Sequence, residues 1–109
     1  MQLPVGLGEL EMQVLHAVRQ TLKMMGVYHA PWQIIIEKKG DTKMAVTAWL
    51  PENTTLPKGY KKPLFPVYFL HEQREAMREF TDVSYAPIAR ELAKEINKAY
   101  KLGEDYGRI

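Results

Sequence analysis

The chain has 109 residues, of which 46% are hydrophobic and 26% charged, and its formal net charge is only +2. This length and composition favour one globular domain with a single core, and the lack of cysteine excludes disulfide bonds, thiolate zinc sites and cysteine nucleophiles. Because no apolar run can span a bilayer and the amino terminus lacks the basic start of a signal peptide, we expect a soluble cytoplasmic protein that does not bind membranes.

The first predicted element is a helix over residues 7–25. Its apolar residues recur at helical spacing and form one stripe, which consists of Leu7, Leu10, Val14, Leu15, Val18, Leu22 and Met25. Gly26 follows the last residue of the stripe, where a glycine in the left-handed conformation commonly ends a helix. We therefore expect the stripe to pack on the core and Gly26 to end the helix.

The next segment, WQIIIEKKGDTKMAVTAWL at residues 32–50, predicts a β-hairpin because β-branched and aromatic residues flank a glycine. A loop of even length would leave both faces of the hairpin half apolar. An odd loop, such as Lys38-Lys39-Gly40 with the glycine left-handed, gathers one apolar face, made of Trp32, Ile34, Ile36, Met44, Val46, Ala48 and Leu50. Because a slip of one residue exchanges the faces, we predict the odd loop, which puts Trp49 on the opposite face.

A loop at residues 51–63 precedes a third predicted strand, LFPVYFL at residues 64–70. Pro66 cannot donate a ladder hydrogen bond, so this strand is expected at an edge of the sheet. Both faces of the strand are apolar, with Phe65, Val67 and Phe69 on one side and Leu64, Tyr68 and Leu70 on the other. The side facing away from the core therefore adds apolar area next to Trp49.

Two further helices are predicted towards the carboxyl terminus. A short helix at residues 72–80 would turn Met77 and Phe80 inward. The last helix starts near Ser84, a residue type favoured at helix caps, with Pro87 tolerated in its first turn. It ends at Gly103, and its predicted buried stripe consists of Tyr85, Ala89, Leu92, Ile96 and Ala99 or Tyr100.

These elements predict a single α+β domain over residues 1–109, in the order α-β-β-β-(α)-α, with a small antiparallel sheet packed against two long helices. The order is similar in topology to that of double-stranded-RNA-binding domains, which place both helices on one sheet face. That family carries a lysine cluster at the start of its last helix. This chain has SYAPIAR at residues 84–90, so the similarity is limited to the order of elements.

The sequence carries little that suggests catalysis. Ser84 is the only serine, and the three histidines lie on different predicted elements without metal-ligand spacing. Glu37-Lys38-Lys39 has the E-x-K form of many metal-dependent nucleases, in which two carboxylates hold the metal and the lysine polarises a water. The second carboxylate is normally an upstream aspartate, and residues 1–36 contain none. We therefore predict a non-enzymatic protein with no catalytic residue, metal site or cofactor.

The positive charge is concentrated in one part of the sequence. Residues 38–62 contain six lysines against two acidic residues and hold all the excess positive charge. The lysines are Lys38, Lys39, Lys43, Lys58, Lys61 and Lys62. They form either a solvated edge that discourages strand-to-strand aggregation or an anion-binding patch.

Two functions follow as hypotheses. If both long helices cover one sheet face, the opposite face stays open unless the 72–80 helix folds over it. An open face would serve as an interface, formed by Trp49, Ile35, Thr47 and Tyr68, for a second copy in a homodimer or for another protein. The alternative is a nucleic-acid-binding protein in which the six lysines contact phosphates while Trp49 or Tyr60 stacks on bases.

Overall fold

The computed structural model describes residues 8–29, 31–76 and 83–107. It shows a three-stranded antiparallel sheet and two helices in the order α-β-β-β-α, a small single α+β domain as predicted. The elements are α1 (Glu9–Met24), β1 (Gln33–Lys38), β2 (Lys43–Trp49), β3 (Val67–Glu72) and α2 (Tyr85–Leu102). The sheet order is β1-β2-β3, so β2 is central and both β1 and β3 are edge strands.

Helix α1 confirms most of the predicted stripe. Leu10, Val14, Val18 and Leu22 are buried, and Gly26 takes a left-handed φ of 74° just after the helix. The prediction was wrong for Met25, which is 47% exposed, because the helix ends at Met24 and Met25 is its C-terminal cap rather than part of the buried stripe. Leu7 lies outside the described residues.

The hairpin has the predicted odd register. Ile34 pairs with Ala48 and Ile36 with Val46, and all four are buried, whereas Trp49 lies on the opposite face. The loop itself comprises residues 40–42 rather than 38–40, because the ladder extends until the Lys39 N–H donates to the Lys43 carbonyl at 2.9 Å. A longer ladder keeps more backbone groups paired without changing which side chains face the core.

Strand β3 is an edge strand, as Pro66 predicted, but it begins after that proline. Its pairing with β2 turns Val67 and Phe69 to the core and Tyr68 to the opposite face. The predicted 72–80 helix is wrong for its described part, because Glu72 completes β3 and residues 73–76 are not helical. Residues 77–80, with the predicted contacts of Met77 and Phe80, lie outside the described residues.

Helix α2 begins after Ser84, carries Pro87 in its first turn and ends at Gly103, whose φ is 57°. Its buried face is the predicted one from Ala89 onward and includes both Ala99 and Tyr100. The prediction was wrong at Tyr85, which is 42% exposed. Ile88 lies one turn further into the helix and fills the core position instead.

The two helices lie on the same face of the sheet. Their buried residues form one core cluster with the inward side chains of all three strands, among them Trp32, Met44 and Val67. No helix among the described residues covers the opposite sheet face, which we call the outer face.

Candidate protein-binding surface

The outer face brings the four predicted interface residues together. Strand pairing places Thr47 directly between Ile35 on β1 and Tyr68 on β3, so these three side chains form one row across the sheet. Trp49 lies two residues further along β2 on the same face. The four residues therefore share one face of the sheet, and their role as an interface stays a prediction.

Leu70 belongs to the same surface, although the predicted interface omitted it. It is 53% exposed and Tyr68 is 56% exposed, whereas Ile35, Thr47 and Trp49 are half-buried. Ala45 is directly opposite Leu70 and is buried, because a single methyl group is covered by its larger neighbours. The signal for Leu70 was present in the sequence, since it shares the parity of Tyr68 on the strand.

Charged residues lie at one end of the outer face, beside the hairpin loop. Glu37, Lys43 and Glu72 occur there, and Lys43 pairs with Glu72 across the strands. Opposite charges at such cross-strand positions attract weakly. The outer face is thus apolar in its middle and carries both signs of charge at one end.

The edge of β1 that faces away from β2 is partly covered by α1. In an antiparallel pair, successive residues point their backbone groups alternately towards and away from the neighbouring strand. The Lys39–Lys43 bond fixes this alternation and turns the Ile36 N–H outward, where it donates to Glu11 Oε2 at 2.8 Å. Glu11 Oε1 accepts a second bond from the Gly8 N–H at 3.0 Å, so one buried carboxylate serves both the helix start and the strand edge.

A second side chain of α1 contacts the same edge. Arg19 Nη2 donates to the carbonyl of Trp32 at 3.5 Å, just before β1 begins. Glu11 and Arg19 lie two turns apart on the helix and reach opposite ends of the strand. The sequence did not reveal this arrangement, because an acidic residue in the first helical turn is also typical of helices that merely cap themselves.

The edge of β3 has no helix or side chain bonded along it among the described residues. The Gln73 N–H donates to the Thr42 carbonyl at 2.9 Å, which fixes the alternation on this strand and turns the N–H groups of Tyr68, Leu70 and Glu72 outward. Within the part of the chain that the structure describes, no group accepts a hydrogen bond from them. Among the described residues, the sheet therefore has one edge that α1 partly covers, called the covered edge, and one edge without such contacts, called the open edge.

Tyr60, a predicted base-stacking residue, has a structural role. Its ring packs edge-on against Tyr100 at 4.9 Å between centroids, and its hydroxyl accepts a hydrogen bond from the Tyr28 N–H at 2.9 Å. Tyr100 in turn accepts a bond from Trp32 Nε1 at 2.6 Å, and burial raises the pKa of Tyr100 to about 12. These contacts attach the 51–63 loop to the core and leave Tyr60 poorly placed to stack on a base.

The six lysines do not form one patch. Lys38, Lys39 and Lys43 surround the hairpin loop, at one end of β2. Lys61 donates its N–H to the Tyr100 carbonyl, and the Lys62 ammonium donates to the Glu52 carbonyl at 2.8 Å. The loop that carries them starts at the other end of β2, about 20 Å away at roughly 3.3 Å per residue. Lys58 belongs to that second group, so proximity in sequence is not proximity in space.

Other candidate groups are dispersed. His71, read from the sequence as a surface residue near a helix start, lies on β3, and its Nδ1 is 3.6 Å from Glu91 Oε1. Glu37 is exposed on β1, and no three acidic or histidine side chains among the described residues are grouped as metal ligands.

None of the described helices is both long and apolar enough to cross a membrane. No known protein family, characterised protein or solved structure matches this chain significantly.

Proposed function

We propose that this chain is a non-enzymatic protein-binding module that self-associates through its outer face. The observation that supports the proposal is the exposure of Tyr68 and Leu70 beside Ile35, Thr47 and Trp49, on the sheet face opposite both helices. A continuous apolar surface on a small domain typically marks an interface, because burying it on a partner removes that area from water.

A second copy suits this surface. Two identical faces related by a two-fold axis bring apolar rows against each other, in the way that two sheets pack in a β-sandwich. The mixed charges of Glu37, Lys43 and Glu72 at one end allow opposite signs to meet across such an axis. A polyanion would instead need a continuous positive surface, and the lysines are divided between two ends of the sheet.

The first test is Trp49→Ala, examined by size-exclusion chromatography with light scattering. Truncating an aromatic residue near the centre of an interface commonly costs about 2 kcal/mol or more, a loss of about 30-fold in affinity. We therefore expect Trp49→Ala to dissociate the assembly at concentrations where the unmodified chain is associated. Tyr85→Ala is the matched control, since Tyr85 is also a partly exposed aromatic residue but lies on α2.

Two results would contradict the proposal. If Trp49→Ala stays fully associated but unfolds at a much lower temperature, Trp49 is an ordinary packing residue. If the chain carries absorbance at 260 nm and its complex weakens steeply with salt, the nucleic-acid alternative applies. With about three to five phosphate contacts, the slope of log K against log salt would be about −3 to −4 for duplex DNA. An apolar interface should respond weakly to salt.

A further inference from the structure

We propose that two copies of the chain also pair through their β3 edges, forming one continuous six-stranded antiparallel sheet. The edge offers the outward N–H groups of Tyr68, Leu70 and Glu72 to a neighbouring strand. An exposed strand edge is a ready template for another strand, because each backbone group can form a hydrogen bond without any side-chain rearrangement.

A second copy is the occupant that this geometry favours. An antiparallel edge is self-complementary, since a two-fold axis converts each strand into the partner of its own copy. The other edge of the sheet borders α1, whose Glu11 and Arg19 side chains bond to the Ile36 N–H and the Trp32 carbonyl, so a second strand could not pair along β1 without displacing them. Pairing of two β3 edges therefore leaves only the two β1 edges, each beside its own α1. The product is a closed dimer rather than a fibre.

Side chains indicate the register of this pairing. A two-fold axis at Phe69 places Tyr68 opposite the partner subunit's Leu70, and the reverse pair forms across the axis. The side chains of both pairs are apolar and lie on the outer face. The backbone N–H and C=O groups of Tyr68 and Leu70 point away from β2, so they can bond to the partner subunit's strand. This register also separates Glu72 from the partner subunit's Glu72, whereas direct apposition of like charges would be unfavourable.

Helix α2 supports the same register through charge. Glu91, Glu95, Lys98 and Leu102 recur at steps of four, three and four residues, so they share one side of the helix. That side borders β3, because Glu91 contacts His71 while Lys98 and Leu102 line a groove with Pro66 and Tyr68. The stripe is acidic towards its amino end and basic or apolar towards its carboxyl end.

A two-fold axis makes the two copies of α2 antiparallel. The eleven residue steps from Glu91 to Leu102 on the helix span about 16 Å, the same length as five extended residue steps from His71 back to Pro66. The midpoint between Glu95 and Lys98 therefore lies beside Tyr68 and Phe69. An axis at Phe69 consequently places Glu95 across from the partner subunit's Lys98, with opposite charges facing each other.

The edge contact differs from the proposed contact through the outer face, although Tyr68 and Leu70 contribute side chains to both. The edge contact alone uses the outward backbone groups of β3 and one side of α2, whereas the outer-face contact alone uses Trp49. An assembly that uses both contacts contains four chains. A change at Trp49 affects the outer-face contact alone, and loss of an outward N–H of β3 affects the edge contact alone.

The test compares Leu70→Pro with Leu70→Ala by sedimentation equilibrium over a range of concentrations. Both variants lose the leucine side chain, but only proline also removes the outward N–H. One hydrogen bond is lost from each copy, so we expect the dissociation constant for Leu70→Pro to exceed that for Leu70→Ala by about 10- to 100-fold. Proline is tolerated at edge positions whose N–H faces solvent, and urea unfolding of the monomer verifies the fold.

Glu72→Pro and Glu72→Ala form a second pair, to be used if Leu70→Pro fails to fold. Equal association of the proline and alanine variants would overturn edge pairing. Loss of association in Leu70→Pro, but not in Leu70→Ala or Trp49→Ala, supports edge pairing and contradicts self-association through the outer face. Loss of association in Trp49→Ala but not in Leu70→Pro contradicts edge pairing and leaves the proposed function intact. A chain that is monomeric at every concentration contradicts both proposals.

Discussion

The two edges of one small sheet differ in how their backbone groups are satisfied. On β1, the outward N–H of Ile36 donates to Glu11, and Arg19 contacts the carbonyl of Trp32. On β3, the equivalent groups of Tyr68 and Leu70 face away from the sheet without a partner among the described residues. Protection of the β1 edge therefore comes from side chains of helix α1 rather than from residues of the edge strand itself.

One contact between α1 and the β1 edge is made by the buried carboxylate of Glu11. Glu11 is only 9% exposed, and its carboxylate accepts two backbone hydrogen bonds. A buried carboxylate is costly unless its oxygens are paired, and hydrogen bonds from N–H groups to an ionised acceptor are among the stronger ones. Helix α1 and strand β1 therefore stabilise each other through one side chain.

Removal of the Glu11 carboxylate should have the largest effect, because it takes away the group that distinguishes the β1 edge from the β3 edge. Glu11→Ala leaves the Ile36 N–H buried without an acceptor, which should lower the free energy of unfolding by about 2 kcal/mol. The variant also acquires a second open edge, so it should form assemblies larger than those of the unmodified chain. Urea unfolding measures the first effect, and light scattering at several concentrations measures the second.

Glu9→Ala is the matched control, because Glu9 is in the same turn of α1 but is exposed. It should change unfolding by no more than about 0.5 kcal/mol and leave the assembly size unaltered. If Glu11→Ala loses stability without forming larger assemblies, the carboxylate stabilises the fold but does not protect the edge.

Arg19→Met should have a smaller effect at the other end of β1. The Arg19 hydrogen bond to the Trp32 carbonyl is long, at 3.5 Å, and methionine retains much of the side chain's apolar stem. We expect a loss of about 0.5–1 kcal/mol in the free energy of unfolding. Lys23→Met serves as the control, since it removes a cation from an exposed position of the same helix. A loss in Lys23→Met as large as that in Arg19→Met would show that the charge matters rather than the contact.

The sequence predicted those parts of the fold that depend on the alternation of apolar residues. The parity of Ile34, Ile36, Met44 and Val46 determined the register of the hairpin and the direction of Trp49, because only one register buries them all. The loop position was missed, since Lys38 and Lys39 are exposed in either arrangement and therefore do not distinguish the two.

Contacts between distant segments could not be predicted in the same way. Glu11 and Ile36 are 25 residues apart, and the spacing of residues within α1 gives no sign of that bond. Lys43 and Lys61 were grouped by their closeness in sequence, yet they lie at opposite ends of the sheet because β2 runs between them. The sequence could predict which residues share the outer face, because that follows from the alternation of side chains along each strand. It could not predict that, among the described residues, α1 contacts one edge of the sheet and not the other, because that depends on contacts between distant segments.

Pro66→Ala tests the open edge by adding a donor instead of removing one. With the two-fold axis at Phe69, Pro66 faces the partner subunit's Glu72 and offers no N–H to its carbonyl. Alanine restores one donor in each copy, so edge pairing should tighten by a few-fold to about 30-fold at most. The monomer should become slightly less stable, by about 0.4–1 kcal/mol, because the unfolded chain gains freedom when a proline is lost. Pro63→Ala is the control, since it brings the same gain of freedom from a position in the preceding loop. Sedimentation equilibrium of the two variants separates the effects, and equal association constants would exclude the register with its axis at Phe69.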